Sequence, residues 1–396
     1  MQSPEMGEPR KIDRLVVVLG LSQITGWGTT YYLPGILGDA FEAASGLSRP
    51  LVFAGVTIML LCSSAAAPFA GKFIDRRGAR SGMLISYVTL SLGLLVLAAT
   101  QGALTYYGAW LLFGIAMPFG LAGGAQAALV QDRGQAARLA ISYVLMLTSL
   151  SQAIYWPLTA WLDSIVGWRA LCVIFAVMNL GAAAVLAVFL RRGPPNVAAF
   201  ASDGGDGGAL PQESRQRALP IVIIAMASSG FVSWGLELHA MEILLAFGIT
   251  QAVALMIVGL RGPISLISRS ADIVLGGRIS PLDIALVGCL TMFLSLIAAA
   301  VGTGVPGAII FMLLFAAGTG IMTISRATLQ LALFGPRGYA TLAGRIGRPA
   351  HFVYAIAPPV LGYVSEYFGL GASLALSMLA MTIALAALLA IRRMTG

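Results

Sequence analysis

The chain has 396 residues, 58% of them hydrophobic and only 10% charged, with a mean hydropathy of +0.89 and a formal charge of +8. That leaves too little polar surface to clothe one or two water-soluble domains of this length, so lipid is the expected solvent. Apolar runs reach the roughly 20 residues of a spanning helix, not the about ten of a barrel strand, which excludes an outer-membrane barrel; basic residues scattered without a stripe or an aromatic platform exclude a nucleic-acid binder.

In chain order, the polar opening MQSPEMGEPRKIDR leads into an apolar segment with no small-residue cleavage pattern, which reads as a retained first helix. The expected spans are 14–38, 49–70, 81–100, 104–130, 139–161, 168–190, 220–246, 250–268, 281–302, 305–334, 346–367 and 370–391. Gly46, Gly167, Gly248 and the stretch from Gly302 to Pro306 separate hairpin partners. Between spans 6 and 7 lies RRGPPNVAAFASDGGDGGALPQESRQRAL, too rich in small residues to bury a core, and so a tether. The expected fold is an all-α membrane protein: twelve transmembrane helices in two pseudo-symmetric six-helix bundles, residues 1–190 and 220–396, joined by a cytoplasmic linker at 191–219.

The positive-inside rule tests the count. With the N-terminus inside, all 24 Lys and Arg residues fall on the cytoplasmic side except Arg49 and Arg169, which lie opposite, and Arg261, which lies on neither side. A bacterial inner membrane with both termini in the cytoplasm is therefore expected. Arg326, Arg345 and Arg348 come at the cytoplasmic ends of spans 10 and 11, in gate or snorkelling positions. Cys62, Cys172 and Cys289 sit in apolar runs with no disulfide or metal spacing, as packing residues.

The halves also repeat. Trp27 and Gly28 answer Trp234 and Gly235, Asp75 and Arg80 answer Asp272 and Arg278, and Pro157 and Gly167 answer Pro358 and Gly369. After span 2 the loop Gly71-Lys72-Phe73-Ile74-Asp75-Arg76-Arg77-Gly78-Ala79-Arg80 resembles the signature between helices 2 and 3 of the major facilitator superfamily. Span count, central linker and the degenerate copy Ser268-Arg269-Ser270-Ala271-Asp272 extend the resemblance over nearly the whole chain. Gly71 would permit close helix approach, and Asp75 could accept from a helix N-terminus or pair with an Arg. The resemblance implies that Gly71, Asp75, Arg76, Gly78, Arg80 and Asp272 form a latch that holds the outward-facing state and breaks when the halves rock.

Arg261 lies near the middle of span 8, where a charge costs at least about 2.5–3.5 kcal/mol and should face a wet cavity or a partner. It is the leading anion-binding candidate, against the alternative of an ion pair with a carboxylate on span 7. A central Arg on helix 8 is similar to one in the monocarboxylate and oxalate porters of the superfamily, which the resemblance makes a clamp for a substrate carboxylate. The Asp that usually precedes it by one turn is here Ile257. Glu237, His239 and Glu242 on span 7 are candidates for proton coupling, or else interfacial polar residues. Gln23, Trp27, Thr30 and Tyr31 on span 1, with Gln152, Tyr155 and Trp156 on span 5, form polar-aromatic stripes that suit a cavity wall or packing. Trp234, and His351 with Tyr354 on span 11, join the substrate-binding set.

Phosphate-loop, H-E-x-x-H and G-x-S-x-G patterns are absent from the sequence, so neither nucleotide hydrolysis nor a catalytic constellation is expected, and no cofactor or metal. The favoured function is a monomeric secondary transporter for a small organic anion, in particular a carboxylate, by proton symport or anion exchange. The alternatives are a proton-driven efflux pump for hydrophobic or cationic compounds, centred on Glu237 or Glu242, and, more remotely, a membrane enzyme or receptor.

Overall fold

A computed structural model describes residues 13–121, 123–193, 208–274 and 279–395, with the backbone alone for Gln212, Leu238, Ala271, Asp272 and Val274. Arg10, Lys11 and Arg278 lie outside the described residues, as does the side chain of Asp272. Among the described residues every regular element is a helix. In chain order they are α1 (Arg14–Gly28), α2 (Leu33–Ser45), α3 (Arg49–Arg77), α4 (Ala79–Ala98), α5 (Ala103–Gly120), α6 (Gly124–Arg133), α7 (Ala137–Thr148), α8 (Leu150–Phe189), α9 (Gln212–Ala246), α10 (Gln251–Gly259), α11 (Arg261–Val274), α12 (Pro281–Val301), α13 (Gly304–Phe334), α14 (Tyr339–Phe368) and α15 (Leu370–Thr395).

These helices group into twelve spans because several spans are broken in the middle. Span 1 is α1 and α2, interrupted just before Pro34, which has no N–H to continue the ladder. Span 4 is α5 and α6, span 8 is α10 and α11, and α8 carries the end of span 5 and all of span 6. The turn inside α8 is at Gly167, with φ 77° and ψ 157°; its repeat partner Gly369 ends α14 at φ 85° and ψ 159°. A left-handed φ of this kind is open to glycine and strained for other residues, so the internal repeat extends to backbone conformation. Helix α9 begins at Gln212, inside the segment expected to be wholly linker.

Among the described residues, length and hydropathy pick out eight stretches able to cross a bilayer. One of them, Ala103–Phe189, is 87 residues long and contains spans 4 to 6. Span 1 escapes because its break leaves two short helices. Span 11 escapes because α14 carries Arg345, Arg348, Pro349, His351, Pro358, Pro359 and Glu366. Outward-facing side chains are apolar: Leu104 is 88% exposed, Val188 80% and Val301 75%, which requires an apolar solvent around the bundle.

Each half has its own core. The first centres on Tyr87, Tyr106, Trp110, Phe113 and Phe175 and the second on Met292, Phe311 and Phe315. Tyr339, Ala340, Ala350 and Tyr354 of α14 pack into the core of the first half, so α14 is the main seam between the bundles. One face of the molecule gathers most of the charge, including the Asp13–Arg133 pair, Arg80 against the Ala187 carbonyl and Arg392 near Asp283. The opposite face has Arg49, paired with Asp39, and Arg169, whose guanidinium lies over Trp168.

Candidate substrate chamber

Between the two halves lies a chamber of about 910 Å³. Gln23, Trp27, Tyr31, Gln152 and Trp156 face it from the first half, and Trp234, Glu237, Arg261, His351 and Tyr354 from the second. The aromatic side chains form a continuous wall. Trp27 meets Tyr31 edge-on at 5.7 Å, Tyr31 meets Trp234 at 5.7 Å and 89°, and Trp234 stacks on Tyr354 at 5.7 Å and 9°. The guanidinium of Arg326 lies 5.5 Å over the Tyr354 ring, within cation–π range.

Arg261 opens α11 directly after the break at Leu260, and its Nη1 donates to Glu237 Oε1 at 2.8 Å. Both readings of this residue therefore meet at one place, since the ion pair itself faces the chamber. Pro263 has no N–H, so the carbonyl of Gly259 has no amide four residues on to accept from, which leaves it available to water or a ligand.

The chamber also contains charge that the sequence reading assigned elsewhere. Arg269 and Arg326, taken there as basic-face residues, line it with Arg261. Arg326 Nη2 donates to Ser233 Oγ at 2.7 Å, and the buried Nε atoms of both arginines have no partner. The correction has a physical reason: the breaks in span 8 and the length of α13 carry both stems inward, and span counting does not register such shifts. Arg345 and Arg348 stay exposed, away from the chamber.

Other expectations are corrected in the opposite direction. Tyr155 is 3% exposed, its ring packed against Gly28 and 5.6 Å from Phe175, so it is a core residue, while its neighbour Trp156 faces the cavity. Thr30 is buried, with its hydroxyl donating to the Gly26 carbonyl at 2.6 Å. His239 and Glu242 lie off the chamber wall: Nδ1 of the imidazole is 3.1 Å from Glu242 Oε2, Nε2 is 3.1 Å from the Pro358 carbonyl, and Ser365 donates to Glu242 at 2.7 Å. Of the three candidates for proton coupling, Glu237 alone borders the cavity.

On the basic face α3 crosses α14 without room for side chains. A Cβ on Gly71 would lie 2.8 Å from the Ala340 carbonyl carbon and nearer still to its oxygen, and Gly344 is as tight against Ala67. Asp75 Oδ2 accepts from the Thr341 amide at 2.7 Å and Oδ1 from the Ala340 amide at 3.3 Å, so a carboxylate caps the positive end of α14. Gly78 follows at φ 88°, Arg76 is exposed, and Arg80 donates twice to the Ala187 carbonyl at the end of span 6. Gln131, which the sequence did not single out, joins this corner by accepting from the Ala79 amide at 2.8 Å and donating to the Ile74 carbonyl at 3.2 Å. Among the described residues, the hydrogen bonds that join the two halves lie on the basic side of the chamber. They include Ser63 with His351 at 3.1 Å, Ser64 to the Arg348 carbonyl and Arg138 to the Ile279 carbonyl. The chamber is thus closed toward the basic face.

Two helical bundles around a central chamber, fastened along a glycine-lined seam at one face, have the architecture of a membrane carrier. The chain belongs to the Major Facilitator Superfamily, whose signature it matches over residues 15–347. It is a multi-pass integral membrane protein and a secondary transporter of small molecules, not an enzyme. Its fold is similar to that of the human organic anion transporter MFSD10 (TETRAN), with TM-score 0.75, 17% identity, and 98% of this chain and 100% of that one covered. It is also similar to the proton:xylose symporter XylE bound to 6-bromo-6-deoxy-D-glucose, with TM-score 0.74, 14% identity, and 96% and 95% covered. The transporter FucP in its outward conformation gives TM-score 0.70 at 15% identity, with 96% and 98% covered. No curated protein matches the sequence.

Proposed function

We propose that the protein carries small organic anions, carboxylates above all, across a bacterial inner membrane, with both termini in the cytoplasm and the basic face inward. One observation supports this reading: among the described residues, three guanidinium groups, Arg261, Arg269 and Arg326, line the chamber with a single carboxylate, Glu237. Desolvated cations without counter-ions favour a negative cargo. One relative of the same fold is titled an organic anion transporter, but at 17% identity that likeness speaks for the fold, and the substrate reading rests on the chamber.

The Arg261–Glu237 pair suits coupling. A carboxylate cargo competes with Glu237 for Arg261, and a proton on Glu237 removes the competitor, which gives symport. Exchange needs only that a second anion take the place of the first. Asp75, Gly71 and the α3–α14 seam form the latch that must open for release to the basic side, with Arg76, Gly78 and Arg80 at the same corner and Asp272 on α11, whose crossing with α7 is the repeat-related one.

Thermal-shift measurements on the purified protein, in mildly acidic and in neutral buffer, test the cargo class directly, because a bound ligand stabilises the folded state. Lactate, pyruvate or succinate should raise the melting temperature. Stabilisation by sugars or by lipophilic cations, with none by any carboxylate, would refute the anion reading. The aromatic wall from Trp27 to Tyr354 favours lipophilic cations as the second reading, and in that case Glu237 would be the cargo's counter-ion.

A further inference from the structure

Helix α9 sets the spacing of two cationic heads. Ser233 and Glu237 are four residues apart on one face, a rise of about 6 Å. Arg326 reaches Ser233 from α13, and Arg261 reaches Glu237 from α11. The two heads differ in charge balance. Arg261 has a carboxylate partner; Arg326 has a neutral hydroxyl, a ring face and a buried, unpaired Nε. Arg269, two turns beyond Arg261 on α11, likewise has a buried, unpaired Nε and, among the described residues, no carboxylate partner. With Glu237 ionised, the described charged side chains on the chamber wall, three guanidiniums against one carboxylate, have a net charge of +2.

A monoanion halves that net charge. A dianion cancels it. We propose that the preferred cargo is a short dicarboxylate, with one carboxylate at the Arg261–Glu237 head and the other in a second subsite made by Arg326, Ser233 and the Tyr354 ring. The proposal rests on the organic-anion reading and narrows it. Arg326 is then the residue that distinguishes dianions from monoanions. The Tyr354 ring lies 5.5 Å from the guanidinium carbon and Ser233 fixes its Nη2, so the donors that remain can meet a planar carboxylate.

The experiment compares binding of malonate, succinate and glutarate with binding of their monoamides, by titration calorimetry on purified wild-type protein and on Arg326→Gln and Arg326→Lys. At least one dicarboxylate should bind roughly tenfold or more tightly than its monoamide, the effect of one charge-assisted contact. Arg326→Gln should abolish that preference by weakening the dicarboxylate far more than its monoamide, and Arg326→Lys should keep most of it. Equal affinity for dicarboxylate and monoamide in wild type would overturn the proposal and leave the organic-anion reading standing. So would an Arg326→Gln variant that stays monodisperse and weakens both ligands alike. Failure of every carboxylate and monoamide to bind would overturn both.

Discussion

Replacing Gly71 with Ala probes the seam with the smallest possible change. The added methyl would lie 2.8 Å from the Ala340 carbonyl carbon and 3.0 Å from the Thr341 Cα. Both neighbours are backbone, so no side chain can rotate away, and α3 and α14 must separate by roughly 1 Å to restore ordinary contact. Overpacking of this kind costs about 1–3 kcal/mol. The same movement stretches the 2.7 Å bond from the Thr341 amide to Asp75, a charge-assisted contact worth about 1.5–3 kcal/mol. Because the opposite state of a rocking carrier lacks this crossing, the cost falls on the closed seam alone. It should shift the equilibrium toward opening at the basic face by on the order of 10–100-fold. Spin labels at the exposed positions Lys72 and Arg345 would report the change as a longer distance population in electron–electron resonance. Gly181→Ala is the matched control, since nothing lies within 4 Å of its added carbon. An unchanged distance distribution in a folded Gly71→Ala protein would refute the argument that this crossing gates the chamber.

Asp75→Ala should slow transport in proteoliposomes while substrate affinity holds, because the carboxylate caps α14 far from the cargo; wild-type rates would exclude the latch. Arg261→Gln should abolish carboxylate uptake and lower the melting temperature by leaving Glu237 unpaired. The double variant with Glu237→Gln should regain stability but not uptake, and recovered uptake would remove Arg261 from the binding role. Tyr155→Phe should bind cargo as wild type does, and a tenfold loss would return that ring to the chamber. At the basic end of α1, burial works to raise the Asp13 carboxyl, but the Arg133 side chain and the Val16 amide outweigh it and hold it below its ordinary value. Its stabilising contribution is therefore present above the unfolded carboxyl's pKa and fades as pH falls through the lower, folded value. Asp13→Asn should flatten the acid side of the stability profile below about pH 4, and an unaltered profile would contradict the sign.

The spans were legible because period, length and basic-residue asymmetry all report one thing, which segments lie in lipid. The Gly167 and Gly369 turns were legible because only glycine takes that backbone freely. What the sequence could not show is which side of a helix faces water. Tyr155 and Trp156 are adjacent and chemically alike, yet one is locked behind Gly28 and the other lines the cavity. Arg326 looks like a positive-inside residue by position, and only the crossing of α13 with α9 brings it to Ser233. A faint signal was present: Arg326 lies in an apolar run, eight residues before the end of its helix, deep for a residue meant to snorkel.

The polar, proline-broken character of α14 bears on how the chain is made. A translocon that partitions each segment by its own hydrophobicity would hesitate at Tyr339–Phe368, which offers arginines, a histidine and three prolines to lipid. Its partner surface on α3 belongs to the half synthesised first, and only against that surface do its glycines and backbone amides find complements. The second bundle should therefore depend on the first as an intramolecular template during biogenesis, and severing the chain at the linker should leave span 11 poorly inserted until the two pieces meet.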